Sequence, residues 1–168
     1  MRLRRFPRVD GSVSGRPPAS PKAVAIRLLA RRDYSRAELA QRLGRRGIAR
    51  ADIESALDEL AAAGYLSDAW YADAVVSQKS GRYGKRAIVY ALKEKGISAD
   101  DAAEAVKPLA DHDETEDALA LWRQRFGVVP VNEREKARQI RFLLARGYGL
   151  STVLRVLRIA GAPISEDQ

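Results

Sequence analysis

The chain has 168 residues, 46% of them hydrophobic, and a net charge of +8 from 30 basic and 22 acidic side chains. It contains no cysteine and a single histidine, which excludes disulfides, thiolate metal sites and histidine-pair metal sites. No apolar run approaches the ~18 residues of a membrane-spanning helix, so composition predicts a cytoplasmic protein that does not contact membranes.

Residues 1–20 form a compositional zone of their own. Five arginines face one acid, Asp10, and glycine, serine and proline supply most of the remainder. Such a segment buries too little apolar area to offset its ordering entropy, so we expect a disordered basic N-terminal arm. Residues 163–168 are expected to be a short C-terminal tail.

Residues 21–66 predict a first unit of three helices. The first helix, over residues 21–32, places four apolar side chains on one face: Ala23, Ile26, Leu29 and Ala30. The second carries Leu39 and Leu43 and ends at Gly47. The third has the i, i+3, i+4, i+7 spacing of one buried stripe, with Ile53, Ala56, Leu57 and Leu60.

Residues 67–111 and 112–162 repeat this pattern. Their first helices are predicted over residues 67–80, with Trp70, Tyr71, Ala74 and Val75 inward, and over residues 113–125, with Ala118, Leu121 and Trp122 inward. Their third helices repeat the stripe as Ala102, Ala105, Val106 and Leu109, and as Val153, Val156, Leu157 and Ala160. No segment shows the alternation of a half-buried strand, and Val128–Val131 is interrupted by a proline.

Three glycines mark the repeat most clearly. Each follows a basic residue at the end of a second helix, as Arg46-Gly47-Ile48, Lys95-Gly96-Ile97 and Arg146-Gly147-Tyr148. A basic residue in a last turn complements the helix dipole, and glycine adopts the left-handed conformation of the C-cap. The sequence therefore predicts an all-α fold, an elongated tandem array of three three-helix repeats.

Positive charge is concentrated in the second and third units. Residues 77–95 hold six basic side chains and one acid, and residues 123–158 hold nine and two, with eight acids between them in residues 100–117. Helical geometry and the turn at residues 81–84 indicate three exposed groups as candidates for binding an acidic or polyanionic partner. They are Lys79, Arg82, Lys85 and Arg86; Arg134, Arg138 and Arg141; and Arg155 and Arg158.

An enzymatic function has little support. His112 stands alone in an acidic stretch, and no partner histidine or cysteine completes a relay. Gly81 and Gly84 lack the order of residues and the preceding strand of a phosphate-binding loop. The sequence predicts a protein without catalytic residues, metal or cofactor.

An ordered set of motifs resembles the RecX family of recombination regulators over roughly residues 22–161. It comprises Ser35-Arg36-Ala37-Glu38-Leu39, Leu43, Gly47-Ile48, Ile53, Leu60, Gly64-Tyr65-Leu66-Ser67-Asp68, Trp70-Tyr71-Ala72 and Lys95-Gly96-Ile97. The resemblance implies a tandem three-helix regulator in DNA repair and the SOS response. It would lodge in the groove of the RecA nucleoprotein filament and inhibit recombinase and co-protease activity. The chain departs from the family's arginine-rich pattern at Gln78-Lys79-Ser80-Gly81.

Two other readings use the same helices. A helix-turn-helix regulator of duplex DNA would also have paired helices and a glycine turn, although the helices after Gly47 and Gly96 begin with acids. A generic helical adaptor predicts no basic ridge. We expect a monomer whose principal partner is the RecA filament, with weaker binding to single- or double-stranded DNA.

Overall fold

The computed structural model describes residues 20–109 and 112–161. Residues 1–19, 110–111 and 162–168, which include the predicted arm and tail, lie outside the described residues. Within the described ranges every regular element is helical, which confirms the predicted all-α fold, and no helix is long and apolar enough to cross a membrane. The helices are α1 (Pro21–Leu29), α2 (Arg36–Gly44), α3 (Arg50–Ala62), α4 (Asp68–Lys79), α5 (Lys85–Glu94), α6 (Ala99–Val106, continued by a 3₁₀ turn Lys107–Leu109), α7 (Glu114–Arg125), α8 (Glu133–Ala145) and α9 (Leu150–Ile159).

Side-chain caps start most of these helices. A side-chain oxygen accepts a hydrogen bond from a backbone N–H of the first turn at six residues: Ser20, Ser35, Ser67, Ser98, Asp113 and Asn132. At the other end of the middle helices, Gly47, Gly96 and Gly147 have φ angles of 76°, 76° and 86°. This confirms that the three recurring glycines are left-handed C-caps.

Each group of three helices encloses its own core. The fully buried side chains include Leu39 and Leu57 in the first, Ile88 and Leu92 in the second, and Leu143 and Leu157 in the third. Helix packing is extensive only within a group: α1 packs on α3, α4 on α6 and α7 on α9. The molecule is thus a row of three small cores in chain order, as the repeat predicts.

Five predicted core assignments in α1 and α4 are wrong. Ile26 in α1 is 43% exposed and Trp70 in α4 is 66% exposed, whereas Ala25 and Ala72 are fully buried. Ala23, Ala30 and Ala74 are exposed as well. Short alanine-rich helices offer two nearly equivalent apolar faces, and the one that faces the neighbouring helices is shifted by about one residue. The prediction for α7 is confirmed at Ala118 and Trp122.

Consecutive units meet through the ends of their middle helices. The Ser35 hydroxyl donates to the Lys95 carbonyl at 2.5 Å, and the Gly84 N–H donates to the Arg146 carbonyl at 2.9 Å. Ser35 and Gly84 are the N-caps of α2 and α5, and Lys95 and Arg146 are the C-caps of α5 and α8. The start of each middle helix therefore abuts the glycine turn of the next unit.

A carboxylate from the following unit completes each junction. The Arg36 N–H donates to Asp68 at 2.7 Å, and the Lys85 N–H donates to Glu114 at 2.6 Å. Asp68 and Glu114 are the first residues of α4 and α7. These acids sit at helix starts, as the sequence suggests, but each also caps the middle helix of the unit before it.

Candidate partner-binding surface

The four cations predicted for the basic turn between α4 and α5 differ in their exposure. Arg82 and Arg86 are exposed, whereas Lys79 is half-buried with its Nζ 4.7 Å from the centre of the Tyr83 ring. Lys85 lies at the junction with the third unit. Its backbone N–H donates to Glu114 Oε1, and its Nζ lies 3.5 Å from the His112 carbonyl oxygen. Two of the four predicted cations thus face outward, and two hold the turn in place.

The predicted ridge on α8 is exposed as expected. Arg134, Arg138 and Arg141 are exposed, Leu143 is buried and Ile140 is half-buried, although Leu144 on that inner side is 38% exposed. The three arginines line a groove of about 410 Å³ that begins at the α8 N-cap, Asn132. A ridge of long cations beside a groove suits an extended anionic or acidic surface.

The remaining pair, Arg155 and Arg158, differ in their surroundings. Arg155 reaches the start of α7, where its Nη1 lies 3.1 Å from an Asp113 oxygen and 3.4 Å from the Thr115 hydroxyl. Hydrogen bonds from the Thr115 hydroxyl and N–H hold the pKa of Asp113 below its usual value. The charge of Arg155 contributes to the same shift, but less. Arg158 is exposed on the last turn of α9. Arg155 is therefore partly occupied within its own unit.

Aromatic rings join the basic turn to the basic ridge. The Arg146 guanidinium lies 5.1 Å from the centre of the Tyr83 ring, on which Lys79 also rests, and 5.2 Å from that of Phe142. Phe142 meets Phe126 edge to face at 5.3 Å. These contacts run without a gap from the second unit into the third.

The series ends on arginines at the ridge. Arg138 and Arg125 lie 5.5 Å and 5.7 Å from the centre of the Phe126 ring. We name the whole series the cation–aromatic ladder: Lys79, Tyr83, Arg146, Phe142, Phe126, Arg125 and Arg138. A second groove, of about 280 Å³, runs beside it and shares Glu135 and Arg138 with the first.

A buried polar side chain fixes the base of this surface. Gln139 is 2% exposed; its Oε1 accepts from the Trp122 Nε1 at 2.8 Å, and its Nε2 donates to the Val128 carbonyl at 3.2 Å. Gln139 occupies a position where the other units have leucine or isoleucine. Its two hydrogen bonds tie α7, α8 and their connector together beneath Phe126 and Phe142.

Sequence reasoning missed four members of the ladder, the arginines Arg125 and Arg146 and the rings of Phe126 and Phe142. Arg146 received only the role of a basic residue at a helix end, and Arg125 none. The available signals were the adjacent pair Arg125-Phe126 and the i, i+4 pair Phe142 and Arg146, because an arginine near a half-buried aromatic ring suggests cation–aromatic packing. Their spatial convergence depends on how α7 meets α8, which no local pattern specifies.

The first junction carries a different arrangement of charges. Glu38 accepts from Lys95 Nζ at 2.8 Å and from the Tyr71 hydroxyl at 3.2 Å, and Arg32 approaches it at 3.5 Å. Burial opposes ionisation, but the hydrogen bonds and charges of Lys95 and Arg32 prevail and lower the pKa of Glu38. This carboxylate is therefore a charged centre at the contact between the first two units.

No arrangement suited to metal chemistry is found among the described residues. Groups of three or more histidine, cysteine, aspartate or glutamate side chains that could hold an ion are absent there. His112 Nε2 lies 2.9 Å from an Asp117 oxygen on the surface. The described surface offers cations, aromatic edges and open grooves.

These features define a class, the tandem helical-repeat proteins that present a basic face to a partner. Comparison with known families makes the assignment specific. Three family models match in order: "RecX, first three-helix domain" at residues 22–60, the second at residues 67–106 and the third at residues 112–157. The chain belongs to the RecX family of regulatory proteins.

Individual relatives agree with that assignment. The chain is 44% identical to regulatory protein RecX of Leptothrix cholodnii, over 88% of this chain and 93% of the relative. It is 38% identical to regulatory protein RecX of Chromobacterium violaceum, over 82% and 89%. The crystal structure of RecX from Lactobacillus salivarius has the same fold, with a TM-score of 0.71 and 18% identity over 84% of this chain and 94% of that one.

Proposed function

We propose that this protein regulates RecA by binding the RecA nucleoprotein filament in its helical groove and inhibiting the recombinase and co-protease activities. Family membership supports the choice of partner. The observation that carries the proposal further is the cation–aromatic ladder, because it makes one basic face out of two units.

A face that spans two units suits a repeating partner. Arg82 and Arg86 lie at one end of the ladder, and Arg134, Arg138 and Arg141 at the other. A rigid link between them lets one molecule contact more than one filament subunit, or a subunit and the bound DNA. Such bridging would restrict the filament through contacts alone.

The ladder also holds the second and third units in a fixed orientation, instead of leaving them connected by a flexible linker. Each cation–aromatic contact contributes about 0.5–1 kcal/mol at an exposed site. The Gly84–Arg146 hydrogen bond adds a backbone link at the same junction. Binding energy is then not spent on aligning the second and third units.

The experiment is RecA-driven strand exchange and RecA co-protease cleavage, each measured over a titration of the purified protein. We expect inhibition by the parent chain, and at least tenfold weaker inhibition by Arg134→Ala/Arg138→Ala/Arg141→Ala. Arg82→Ala/Arg86→Ala should lie between them. Because the replaced side chains are exposed, circular dichroism should show an unchanged fold.

A control variant removes the same charge elsewhere. Arg45, Arg50 and Lys93 are exposed cations outside the ladder, so Arg45→Ala/Arg50→Ala/Lys93→Ala should inhibit nearly as well as the parent. If the ridge variant and this control lose activity equally, only net charge matters. If the parent chain affects neither RecA activity, the proposed function is wrong.

The alternative, a helix-turn-helix regulator of duplex DNA, predicts a different result. The helices after the first two glycine turns begin with exposed acids, Asp52 and Glu54 in α3 and Asp100 and Asp101 in α6. Carboxylates at these positions oppose entry into a groove lined by phosphates. Tight sequence-specific binding to duplex DNA without an effect on RecA would support this alternative.

A further inference from the structure

Among residues 20–109 and 112–161 no unit packs on the face of the first unit that corresponds to the faces which the second and third units use at their junctions. The fully buried Ala25 and Ala72 mark equivalent positions in α1 and α4, and Gly47 and Gly96 mark them at the glycine turns. By that register Val24 corresponds to Tyr71, and Arg46 to Lys95.

In the second unit these two positions bind a carboxylate. The Lys95 ammonium and the Tyr71 hydroxyl both donate to Glu38, the third residue of α2. Glu38 lies in the first turn of a helix whose N-cap, Ser35, also donates to the Lys95 carbonyl. In the second unit this face therefore binds a glutamate in the first turn of a helix whose start lies against the glycine turn.

The uncovered face in the first unit forms a groove of about 280 Å³. Arg27, Arg31 and Arg46 line it, with Val24 and the buried Leu28. Arg27 Nε donates to the Ala23 carbonyl of its own helix. Within the described part of the chain none of the three arginines forms an ion pair.

Two of these arginines are specific to the free end. The positions of Arg27 and Arg31 correspond to Ala74 and Gln78 in α4, and to Ala120 and Gln124 in α7. These counterparts are exposed and uncharged, so the first unit has three cations around this apolar floor where the second and third units have one each, Lys95 and Arg146. A carboxylate placed among them would gain charge-assisted hydrogen bonds of the kind that Lys95 makes.

We propose that this groove is a docking site for the acidic first turn of a helix in the protein partner, with a glutamate in the place that Glu38 occupies against the second unit. The proposal rests on the proposed function for the identity of that partner, the RecA filament. It adds a second contact, at the opposite end of the molecule from the ladder.

Two observations favour a protein helix over other occupants. The precedent inside the chain is a carboxylate on a helix, and the floor of Val24 and Leu28 suits an apolar side chain rather than a phosphodiester. A second copy could offer Glu135, the third residue of α8. However, the units meet through a few hydrogen bonds within one continuous chain, and contacts so few give only weak binding between free molecules unless a second contact, such as the ladder offers to a filament, acts with them.

The direct test uses a peptide and the full-length protein. The probe is a helix-stapled peptide with the sequence of residues 34–45 in which Arg36, Arg42 and Arg45 are replaced by glutamine, so that Glu38 is its only charged side chain, and its control also carries Glu38→Gln. We expect saturable NMR shifts at the amides of Gly47 and Ile48, with a dissociation constant on the order of 1 mM. Arg31→Ala/Arg46→Ala in the protein, or Gln in the peptide, should weaken binding at least fivefold.

Three results would overturn the proposal. The first is no shift at 5 mM peptide, a concentration about fivefold above the expected dissociation constant, and the second is equal binding of the glutamine peptide. The third is stronger and competing binding of an oligothymidylate at the same amides, which would make the groove a phosphate site. Sedimentation that depends on protein concentration and is abolished by Glu135→Gln would assign the groove to a second copy instead.

A second measurement places the site on the filament. Arg27→Ala/Arg31→Ala/Arg46→Ala should weaken binding to RecA filaments at least fivefold and leave binding to bare single-stranded DNA unchanged, with Arg45→Ala/Arg50→Ala/Lys93→Ala as the control of equal charge. Unchanged filament affinity overturns the assignment of the partner. If the parent does not bind filaments but binds the peptide, the docking chemistry holds and the proposed function fails.

Discussion

The Arg146 guanidinium of the third unit lies over the Tyr83 ring of the second, 5.1 Å from its centre, while the Arg146 carbonyl accepts a hydrogen bond from Gly84 beside that ring. One residue therefore joins the two units through both its side chain and its backbone. The same residue lies next to the glycine whose conformation ends α8.

The contact between these two side chains should be measurable as a coupling free energy. In a double-mutant cycle of Tyr83→Leu and Arg146→Gln, urea unfolding should give a coupling of about 0.5–1 kcal/mol. The cycle leaves the Gly84–Arg146 backbone hydrogen bond in place, so it isolates the side chains. Additive effects within about 0.3 kcal/mol would show that the ladder does not couple the units.

The three glycine turns should respond differently to the same substitution. Each has a positive φ, so Gly→Ala should cost about 1 kcal/mol at any of them. At Gly47 nothing lies within 4 Å of an added Cβ, whereas at Gly96 it would overlap the Cβ of Ala37, and at Gly147 the Cβ and backbone of Ala87. Gly96→Ala and Gly147→Ala should therefore destabilise by about 1–3 kcal/mol more than Gly47→Ala.

Gly47→Ala serves as the control in this comparison, because its conformational cost is the same and its surroundings are open. Thermal unfolding of the three variants gives the ranking. Equal midpoints would mean that the junctions between units adjust to the extra methyl group without cost.

The buried amide of Gln139 should be essential to the third core. Gln139→Leu leaves the Trp122 Nε1 and the Val128 carbonyl without their partner, which should cost about 1–3 kcal/mol in urea unfolding. Adding Trp122→Phe removes one of the two unpaired groups. The double variant should therefore lose less unfolding free energy than the sum of the losses in the two single variants. Strict additivity would contradict the role of this hydrogen bond.

The hydroxyl of Tyr148 is buried without a hydrogen-bond partner in the described part of the chain. Tyr148→Phe should therefore leave stability at pH 7 unchanged or raise it by about 1 kcal/mol. Burial raises the pKa of Tyr148 to about 12, and the charges of Asp117 and Glu114 act in the same direction.

The sign of the pH effect follows from this raised pKa. The folded state keeps the phenol proton between pH 10 and 12, where the unfolded chain loses it, so the parent loses stability as the pH rises through that range. Phenylalanine has no such proton. The stability of Tyr148→Phe relative to the parent should increase by about 1–2 kcal/mol between pH 7 and pH 11.5. A difference that does not change with pH would contradict this environment.

The sequence predicted the three units well because its signals are local. The caps at Ser67 and Asp113 and the left-handed glycines act within one turn of backbone, and apolar spacing such as that of Ile53 and Leu57 is read along a single helix. It failed at Trp70 and Ile26, where the choice between two adjacent faces depends on the direction from which the other helices approach.

In the candidate surface, too, the sequence predicted the features of single helices and not the contacts between units. Exposure of Arg134, Arg138 and Arg141 follows from their position opposite Leu143 on one helix, so the sequence alone determined it. Only the tertiary structure decided that Arg146, which also lies over Phe142 of its own helix, contacts Tyr83 of another unit, and that Arg27, Arg31 and Arg46 line one groove. Contacts between units join residues from 27 positions apart, as in Lys85 and His112, to 63 apart, as in Tyr83 and Arg146, and such pairings leave no periodic trace in the sequence.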